Sequence, residues 1–343
     1  MSLMLSETLS IPSILEHMLT EDFAVRRIAL DMAADLPELM ITVARGSSDH
    51  AAAYLCHAMM SEIGVPSLSI PPSLVSLHRA PLRLKKCWVA ALSQSGKSPD
   101  LIASARYLKQ RGATVTALVN TAHSELAEVS DTQVLLPAGL EHSVAATKSY
   151  VAMLMASAQI VAHLGHALGG SDTLASALQQ LPEQMRAVAH QDWSEAVEVL
   201  AKADKMLVIG RGCALPIAQE AALKLKETSG IQAEAFSSAE VRHGPMEIIV
   251  PGYPVLVFAP SGPEQTGTLA FAHDMRERGA QVLVVAPPDA LSCASLPSVS
   301  TGHPLLEPFT MIQGFYQIAA QLAVARGRNP DQPQFLKKVT ETR

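Results

Sequence analysis

The feature that most constrains the fold of this chain is a recurring order of segments: a short apolar run, a turn rich in glycine or serine, and a helix. Residues 39–44 and 87–92 are apolar and stop at the turns RGSS and SQSGKS. The same order returns where residues 206–209 stop at GRGC and residues 255–259 stop at PSGP. Strands that alternate with helices form parallel sheets with right-handed crossovers. The sequence therefore predicts an α/β protein in which a βα unit has been duplicated.

The two copies divide the chain into five predicted segments. Each copy is expected to be a parallel-sheet α-β-α sandwich of the flavodoxin or Rossmann type, with ligands at the carboxyl ends of its strands. We interpret residues 169–171 and 181–182 as less regular segments of the connection between the copies. The predicted segments are a helical preamble (1–35), a first α/β domain (36–170), a helical connection (171–195), a second α/β domain (196–330) and a C-terminal tail (331–343).

Composition and charge exclude several classes of partner. Hydrophobic residues make up 48% of the 343 residues and charged residues 17%, which is typical of a globular chain. The net charge is -6 and no long run of Lys or Arg occurs, so we expect no nucleic-acid partner. The N-terminal residues do not have the pattern of a signal peptide, and we expect a cytoplasmic protein.

One apolar stretch, residues 150–170, resembles a membrane span in its length. It contains Gln159, His163 and His166 together with many small residues, so we expect a buried or dimer-facing helix and no membrane partner. The two histidines are expected to pack within this helix, and we predict no metal site and no cofactor. The four cysteines are far apart and form no CxxC pattern, which argues against disulfides and zinc.

The turn SQSGKS is a candidate phosphate cradle. Its hydroxyls at Ser93, Ser95 and Ser98 would stand beside the N–H groups of a helix N-terminus, and both kinds of group donate to a dianion. Gly96 would allow the backbone to approach the ligand closely. From the residues alone, a helix N-cap with spare serines is the other open interpretation.

A second candidate site follows the GRGC turn. On a helix, Glu220, Lys224 and Glu227 are spaced i, i+4 and i+7, so they lie close to one face. A solvated stripe of ion pairs would have the same spacing. The sequence EVRHGP follows, in which a Gly-Pro pair stops any helix directly after His243. A histidine near a helix that carries carboxylates is a candidate for general acid/base chemistry.

Several motifs together resemble the sugar isomerase (SIS) family, in particular the isomerase part of glucosamine-6-phosphate synthase. They run from about residue 40 to the end: ARGSS, SQSGKS, EHSVAATKSY, GRGCALPIAQEAALKLKETSGIQAEAF, EVRHGP and the tail at 331–340. The resemblance implies two tandem SIS subdomains. It also implies that Glu227 is the base between C1 and C2, that Lys224 supports the substrate hydroxyls, and that His243 opens the sugar ring from across a homodimer interface. The residues implied to bind the sugar or its phosphate are Ser48, Ser93, Gln94, Ser95, Ser98, Val144 and Lys338.

Lys338 matches the lysine that forms a Schiff base with the keto sugar in the synthase. The chain departs from the synthase pattern at Lys97 and Ser98, where that pattern has Glu and Thr, and at Ala146, where it has Ser. The glutaminase domain of the synthase does not occur in this sequence, so no ammonia source is expected.

We therefore predict a glucosamine-6-phosphate deaminase that isomerises its substrate and releases fructose 6-phosphate and ammonia. The alternatives are a fructosamine-6-phosphate deglycase, a galactosamine-6-phosphate deaminase, an aldose–ketose phosphosugar isomerase, and a non-catalytic phosphosugar sensor. The expected partner is a phosphorylated amino sugar.

Overall fold

The computed structural model describes residues 1–290 and 295–338. Its strands form two parallel five-stranded sheets with helices on both faces, as the sequence predicts. The strands are β1 (Leu39–Val43), β2 (Ser67–Ser69), β3 (Cys87–Ser93), β4 (Thr114–Val119), β5 (Thr132–Leu135), β6 (Lys205–Gly210), β7 (Gln232–Ser237), β8 (Pro254–Phe258), β9 (Gln281–Ala286) and β10 (Leu296–Pro297).

The two sheets have the same topology, which confirms the predicted duplication. The first has the order β2-β1-β3-β4-β5, and the second, counted from its other edge, has the order β7-β6-β8-β9-β10. In the first sheet Ile41 pairs with Val89, and in the second Val208 pairs with Leu256. This strand order reverses direction between β1 and β3 and between β6 and β8. Ligands of such sheets bind beside the carboxyl ends of the strands at the reversal point.

The helices occupy the segments between the strands. They are α1 (Leu3–Leu9), α2 (Ile11–Thr20), α3 (Phe23–Ala34), α4 (Ser47–Ala58), α5 (Pro72–Ser76), α6 (Pro99–Gln110), α7 (Glu125–Val129), α8 (Lys148–Ala167), α9 (Thr173–Val188), α10 (Ser194–Leu200), α11 (Leu215–Lys224), α12 (Gln265–Glu277) and α13 (Glu307–Ala325). The interpretation of residues 181–182 as a less regular segment is wrong. Helix α9 continues through Pro182, and Leu181 is fully buried. Burial of that apolar face offsets the one backbone hydrogen bond that the proline removes.

The chain divides into two compact units. The first-sheet unit contains residues 13–141, 148–179 and 337–338, and the second-sheet unit contains residues 1–12, 142–147, 180–290 and 295–336. In the first-sheet unit an apolar cluster that includes Val89 and Val115 packs against α6. A corresponding cluster in the second-sheet unit, with Val257 and Val284, packs against α12.

The stretch that resembles a membrane span is a buried helix. Tyr150 and most of the residues after it in α8 have almost no exposed surface. The amide of Gln159 donates to the Met18 carbonyl oxygen at 2.8 Å, so its polar group is compensated inside the unit. None of the helices in the described part of the chain has the length and apolar character that crossing a membrane requires.

The first helix of each copy ends in the same way. Helix α4 continues into a π-helical turn at Met59–Ile63, and α11 continues into a π-helical turn at Leu225–Ser229. Gly64 and Gly230 then end the two turns with left-handed backbone (φ 78° and 65°). Single π-helical turns inside α-helices are rare and occur frequently at functional sites. The second of these turns carries Glu227.

Candidate functional site

The SQSGKS turn presents three serine hydroxyls at the carboxyl end of β3. The Gly96 N–H donates to Ser93 Oγ (3.0 Å) and the Lys97 N–H donates to Ser95 Oγ (3.3 Å). A hydroxyl that accepts a bond from the backbone still has its own hydrogen to donate. Within residues 1–290 and 295–338, Ser98 stands at the N-cap of α6 and its side chain makes no capping bond. Ser98 is thus the N-cap residue, as one of the two interpretations has it, and the role of the turn as a phosphate cradle stays a prediction.

The amides of α6 contribute less than the sequence suggests. Pro99 at the start of the helix has no N–H group, and the Leu101 N–H donates to the side chain of Asp100 (2.9 Å). The Ile102 N–H donates to the Ser98 carbonyl oxygen (3.1 Å). The groups that this turn offers to an anion are therefore chiefly its hydroxyls.

The conformation of the turn depends on Gly96. Its φ of +61° is in the left-handed region, and a Cβ at this position would overlap with the Ser124 side chain. The Gly96 carbonyl oxygen accepts from the Leu126 N–H (3.0 Å), and the Gln94 carbonyl oxygen accepts from the Asn120 N–H (3.2 Å). These contacts hold the backbone of the turn in one shape before any ligand binds.

An ion pair joins the two turns at the reversal point of the first sheet. Arg45, from the RGSS turn, contacts the Asp100 carboxylate through Nε (2.9 Å) and a terminal nitrogen (2.8 Å). Asp100 is buried and Arg45 is half exposed. Ser48, which lies in the first turn of α4 after β1, is half-buried in the same unit. The sequence analysis missed Arg45 and Asp100, although Arg45 belongs to a quoted motif.

A second buried carboxylate lies behind the SQSGKS turn. Glu141 Oε2 accepts from the Gln94 amide (2.7 Å), from the Ser149 hydroxyl (2.7 Å) and from the Lys338 ammonium (3.1 Å). The side chain of Glu141 has no exposed surface. Gln94 and Lys338, both predicted to bind the substrate, are therefore brought together through one oxygen atom. Glu141 itself was quoted only as part of a motif.

The corresponding turns of the second copy are occupied by acidic side chains. Gly46 and Gly212 follow β1 and β6 with similar φ angles, 55° and 58°. A Cβ on Gly46 would meet no atom within 4 Å, whereas one on Gly212 would lie 2.8 Å from the Glu264 carboxylate. After β8, Ser261 donates its N–H (2.5 Å) and its hydroxyl (2.7 Å) to Glu307.

Burial raises the pKa of Glu307, although the hydrogen bonds from Ser261 oppose that shift. In the second copy, the donors of Ser261 are thus engaged by Glu307, and the Glu264 carboxylate lies beside Gly212.

Three charged side chains form a cluster at the end of α11. Lys224 Nζ lies 2.6 Å from Glu227 Oε2 and 3.3 Å from Glu220 Oε1. The side chains of Lys224 and Glu220 are 1% and 0% exposed, and that of Glu227 is 20% exposed. The predicted spacing on one helix face is confirmed, and the solvated stripe is wrong. The Tyr316 hydroxyl of α13 adds a bond to Glu220 Oε1 (3.2 Å), and this long-range contact helps to enclose the cluster.

The cluster fixes the charge of the lysine. Burial alone lowers the pKa of Lys224, but the charges and hydrogen bonds of Glu220 and Glu227 outweigh it, and the pKa is raised above its ordinary value. Lys224 is therefore a permanent cation at neutral pH. Glu227 combines a charge-assisted bond with an accessible edge, which is an arrangement that can accept a proton from a ligand.

His243 lies at the end of a short 3-10 turn, Glu240–His243, in the second-sheet unit. Its ring is exposed. The next residue, Gly244, has a φ of 149° and starts a new turn, so the ring stands at a loop edge, as EVRHGP predicts.

Val144, in the same unit, is held by the tail. Its N–H donates to the Asp331 carbonyl oxygen (3.0 Å), and the Asp331 carboxylate accepts from the N–H groups of Leu3 and Met4 (2.9 and 2.8 Å). Glu7 of α1 accepts from the neighbouring His142 N–H (2.5 Å). The N-terminal helix, the EHSVAATKSY motif and the tail are thus tied together, and the sequence analysis did not find these contacts.

The prediction that both histidines pack within α8 is wrong for His166, which is exposed, whereas His163 is partly buried. His163 contacts Asp22 (2.9 Å), and His166 contacts Asp172 (2.7 Å). Across the described ranges, no group of three or more His, Cys, Asp or Glu side chains is arranged to hold a metal ion. Cys56, Cys87 and Cys213 are buried thiols that are not joined to one another by disulfides; burial raises the pKa of Cys87 to about 11. Cys293 lies outside the described residues.

Comparison with known proteins agrees with this geometry. The model of the SIS domain family matches residues 38–162 and 199–294. The chain belongs to the SIS domain family. It is 37% identical over 266 residues to the isomerizing glutamine–fructose-6-phosphate aminotransferase of Aeropyrum pernix, a match that covers 73% of this chain and 42% of that protein. The chain thus spans less than half the length of this curated relative.

Two solved structures are similar over nearly the whole chain. A candidate phosphosugar isomerase from Silicibacter pomeroyi DSS-3 has a TM-score of 0.90 and 38% identity, covering 96% of this chain and 100% of that one. The glucosamine-6-phosphate deaminase of Thermotoga maritima has a TM-score of 0.79 and 22% identity, covering 99% and 100%. The second likeness shows that the fold is shared.

Proposed function

We propose that this chain is a phosphosugar isomerase that acts on an amino-sugar phosphate, converting glucosamine 6-phosphate to fructose 6-phosphate and ammonia. The observation that carries the proposal is the buried cluster in which Lys224 contacts Glu227 at 2.6 Å and leaves one edge of that carboxylate accessible. Family membership and the similarity to a candidate phosphosugar isomerase support the substrate class.

The proposed reaction needs one base and no redox step. His243 assists opening of the sugar ring, which exposes the aldehyde at C1. Glu227 removes the proton from C2, giving a 1,2-enolamine, and returns that proton to C1. The product is a ketimine at C2; water adds to it, the C–N bond breaks, and ammonia leaves as the C2 ketone forms. General acid/base catalysis of this kind contributes roughly 10²–10⁴ in rate.

The asymmetry between the two copies supports a single phosphate position. The turns after β1 and β3 offer hydroxyls and an open glycine, whereas the turns after β6 and β8 contact Glu264 and Glu307. A phosphate dianion would be repelled by those two carboxylates. We therefore assign the substrate phosphate to Ser93, Ser95 and Ser98, together with Ser48 from the RGSS turn after β1.

We also propose that the enzyme is a homodimer in which His243 serves the neighbouring subunit. The exposed ring at the edge of a loop supports this arrangement. The test mixes two inactive variants, Glu227→Gln and His243→Gln: a shared site regains activity in mixed dimers, because one of the two sites then contains both native residues. No recovery on mixing dissociated and reassociated subunits would refute the exchange.

The reaction is tested by incubating the protein with glucosamine 6-phosphate and measuring ammonia and fructose 6-phosphate together. Both products are expected in equal amounts. Ammonia from galactosamine 6-phosphate or a fructosamine 6-phosphate alone would assign one of the alternative substrates, and a ketose without ammonia would assign a simple aldose–ketose isomerase. Binding of the sugar phosphates without turnover would leave only a sensor.

The role of the base is tested with Glu227→Gln. It should lower kcat by at least about 100-fold while the Kd for substrate changes little, since the phosphate contacts remain. Glu234→Gln, at an exposed carboxylate of β7, is the matched control and should keep full activity. Undiminished turnover in Glu227→Gln would remove this residue from the mechanism.

A further inference from the structure

The carboxylate of Glu141 connects the C-terminal tail to the turn to which we assign the substrate phosphate. Both groups reach it inside the first-sheet unit: Gln94 donates at 2.7 Å and Lys338 at 3.1 Å, and both bonds end on Oε2. The same oxygen accepts from the Ser149 hydroxyl (2.7 Å), and Oε1 accepts from the Ser149 N–H (3.3 Å). A carboxylate without exposed surface is stable only when such donors and a positive charge compensate it.

The positions of these residues make the ion pair relevant to phosphate binding. Gln94 stands between Ser93 and Ser95 and is itself predicted to bind the sugar phosphate, so its bond to Glu141 fixes the position of one of the groups of the proposed site. Glu141 is also a fixed negative charge near the place proposed for a dianion. The Lys338 ammonium offsets that charge. Loss of the ammonium would remove its 3.1 Å contact with Glu141 Oε2, the oxygen that also holds the Gln94 amide, and would make the surroundings of the turn more negative.

We propose that Lys338 is a positioning residue: its ammonium, through Glu141, fixes Gln94 and so prepares the SQSGKS turn for the phosphate group. This replaces the Schiff-base role that the family resemblance implies, because the nitrogen that would attack a keto carbon is engaged with Glu141. The inference rests on the proposed function of the turn as a phosphate site. It predicts that the ammonium charge matters and the nucleophilic amine does not.

Substitutions at neighbouring positions separate the two roles. Lys338→Arg keeps the positive charge and cannot form a Schiff base with a sugar. Lys338→Met removes both properties, and Lys337→Met changes an exposed lysine next to it in the tail. The double variant Glu141→Gln with Lys338→Met removes both charges of the pair. Binding of inorganic phosphate and of glucitol 6-phosphate, which cannot be isomerised, is measured by calorimetry, and turnover is measured separately.

Positioning predicts a graded result. Lys338→Met should weaken binding of both phosphate probes by about tenfold, the loss of one charge-assisted hydrogen bond. Lys338→Arg should restore affinity and kcat to within about threefold of the native protein, and the double variant should bind phosphate more tightly than Lys338→Met alone. Lys337→Met should match the native protein. Non-phosphorylated glucitol should show no such ranking.

Two results would overturn the inference. Equal phosphate affinity in the native protein and Lys338→Met would show that the ion pair does not prepare the turn. Loss of turnover in Lys338→Arg would count for the Schiff base if borohydride also trapped fructose 6-phosphate on Lys338 of the native protein. The two results together would establish the Schiff base instead. If the native protein binds neither probe, the proposed phosphate site is itself refuted, which is a different outcome from equal binding among the variants.

Discussion

The cluster at the end of α11 predicts that Lys224 stabilises the fold independently of any catalytic role. At 3.3 Å and an effective dielectric constant of about 20, the attraction between the Lys224 ammonium and the Glu220 carboxylate is about 5 kcal/mol. Removing one partner of a buried pair leaves the other charge uncompensated and typically costs about 3–5 kcal/mol. Lys224→Met should therefore lower the free energy of unfolding of the second-sheet unit by about that amount.

Urea unfolding monitored by tryptophan fluorescence can measure this loss of stability in the second-sheet unit. Trp193 packs against Gly314 of α13, in the same unit as Lys224, so a Trp88→Phe background leaves one reporter there. Glu220→Gln combined with Lys224→Met should recover much of the lost stability, because no buried charge is then left without its partner. Lys226→Met, at an exposed lysine of the same turn, is the control and should change stability by less than about 0.5 kcal/mol.

The pH dependence provides a second readout. Because the folded-state pKa of Lys224 is raised, its contribution to stability is fully present below the ordinary lysine pKa of about 10.4 and is lost as the pH rises through the raised value. The native chain should lose this contribution at alkaline pH, and Lys224→Met should not show that loss. A stability of Lys224→Met equal to that of Lys226→Met at pH 7 would refute the reasoning, because it would mean that the cluster is effectively solvated.

Three further predictions concern the turns. Gly96→Ala should destabilise the chain by about 2 kcal/mol more than Gly139→Ala in urea unfolding, since both residues have left-handed φ but only Gly96 lacks room for a Cβ; equal losses would contradict this. Arg45→Met should weaken phosphate binding in calorimetry by at least about tenfold, because it removes the positive charge that contacts the buried Asp100 carboxylate beside the turn; unchanged affinity would count against the site. Burial raises the pKa of Glu307, so its contribution to stability is present below the ordinary pKa of about 4.3 and is lost as the pH rises through the raised value. Glu307→Gln should remove that decline in the unfolding free energy between acidic and neutral pH, and an unchanged decline would show that another group causes it.

The fold was predictable because its signals are local. The runs at 39–44, 87–92 and 206–209 are mostly apolar, as expected for strands covered on both faces, and each forms a strand within a residue or two of its predicted bounds. Strand β2 was missed because Ser67–Ser69 is short, mostly polar and at the edge of its sheet. The prediction of a loose segment at residues 181–182 was wrong because packing can hold a helix together across a proline.

The candidate site was predictable in its residue types and less so in its contacts. Helical spacing brings Lys224 to Glu227 and Glu220, but it cannot show that α13 covers them. Glu141 meets Gln94 across 47 positions and Lys338 across 197 positions of sequence. No local pattern records such pairings, since they depend on how strands and crossovers are arranged in space.

The π-helical turns that follow α4 and α11 bear on how the proposed acid/base role of Glu227 arose within a repeated fold. Both turns have five residues and end at a left-handed glycine, so their third positions, Ser61 and Glu227, correspond. The widened backbone is thus a property of the repeated unit, whereas the proposed base, Glu227, occurs in one of the two repeats. A duplicated scaffold of this kind can gain or lose a catalytic group by a single substitution while its main-chain path stays the same.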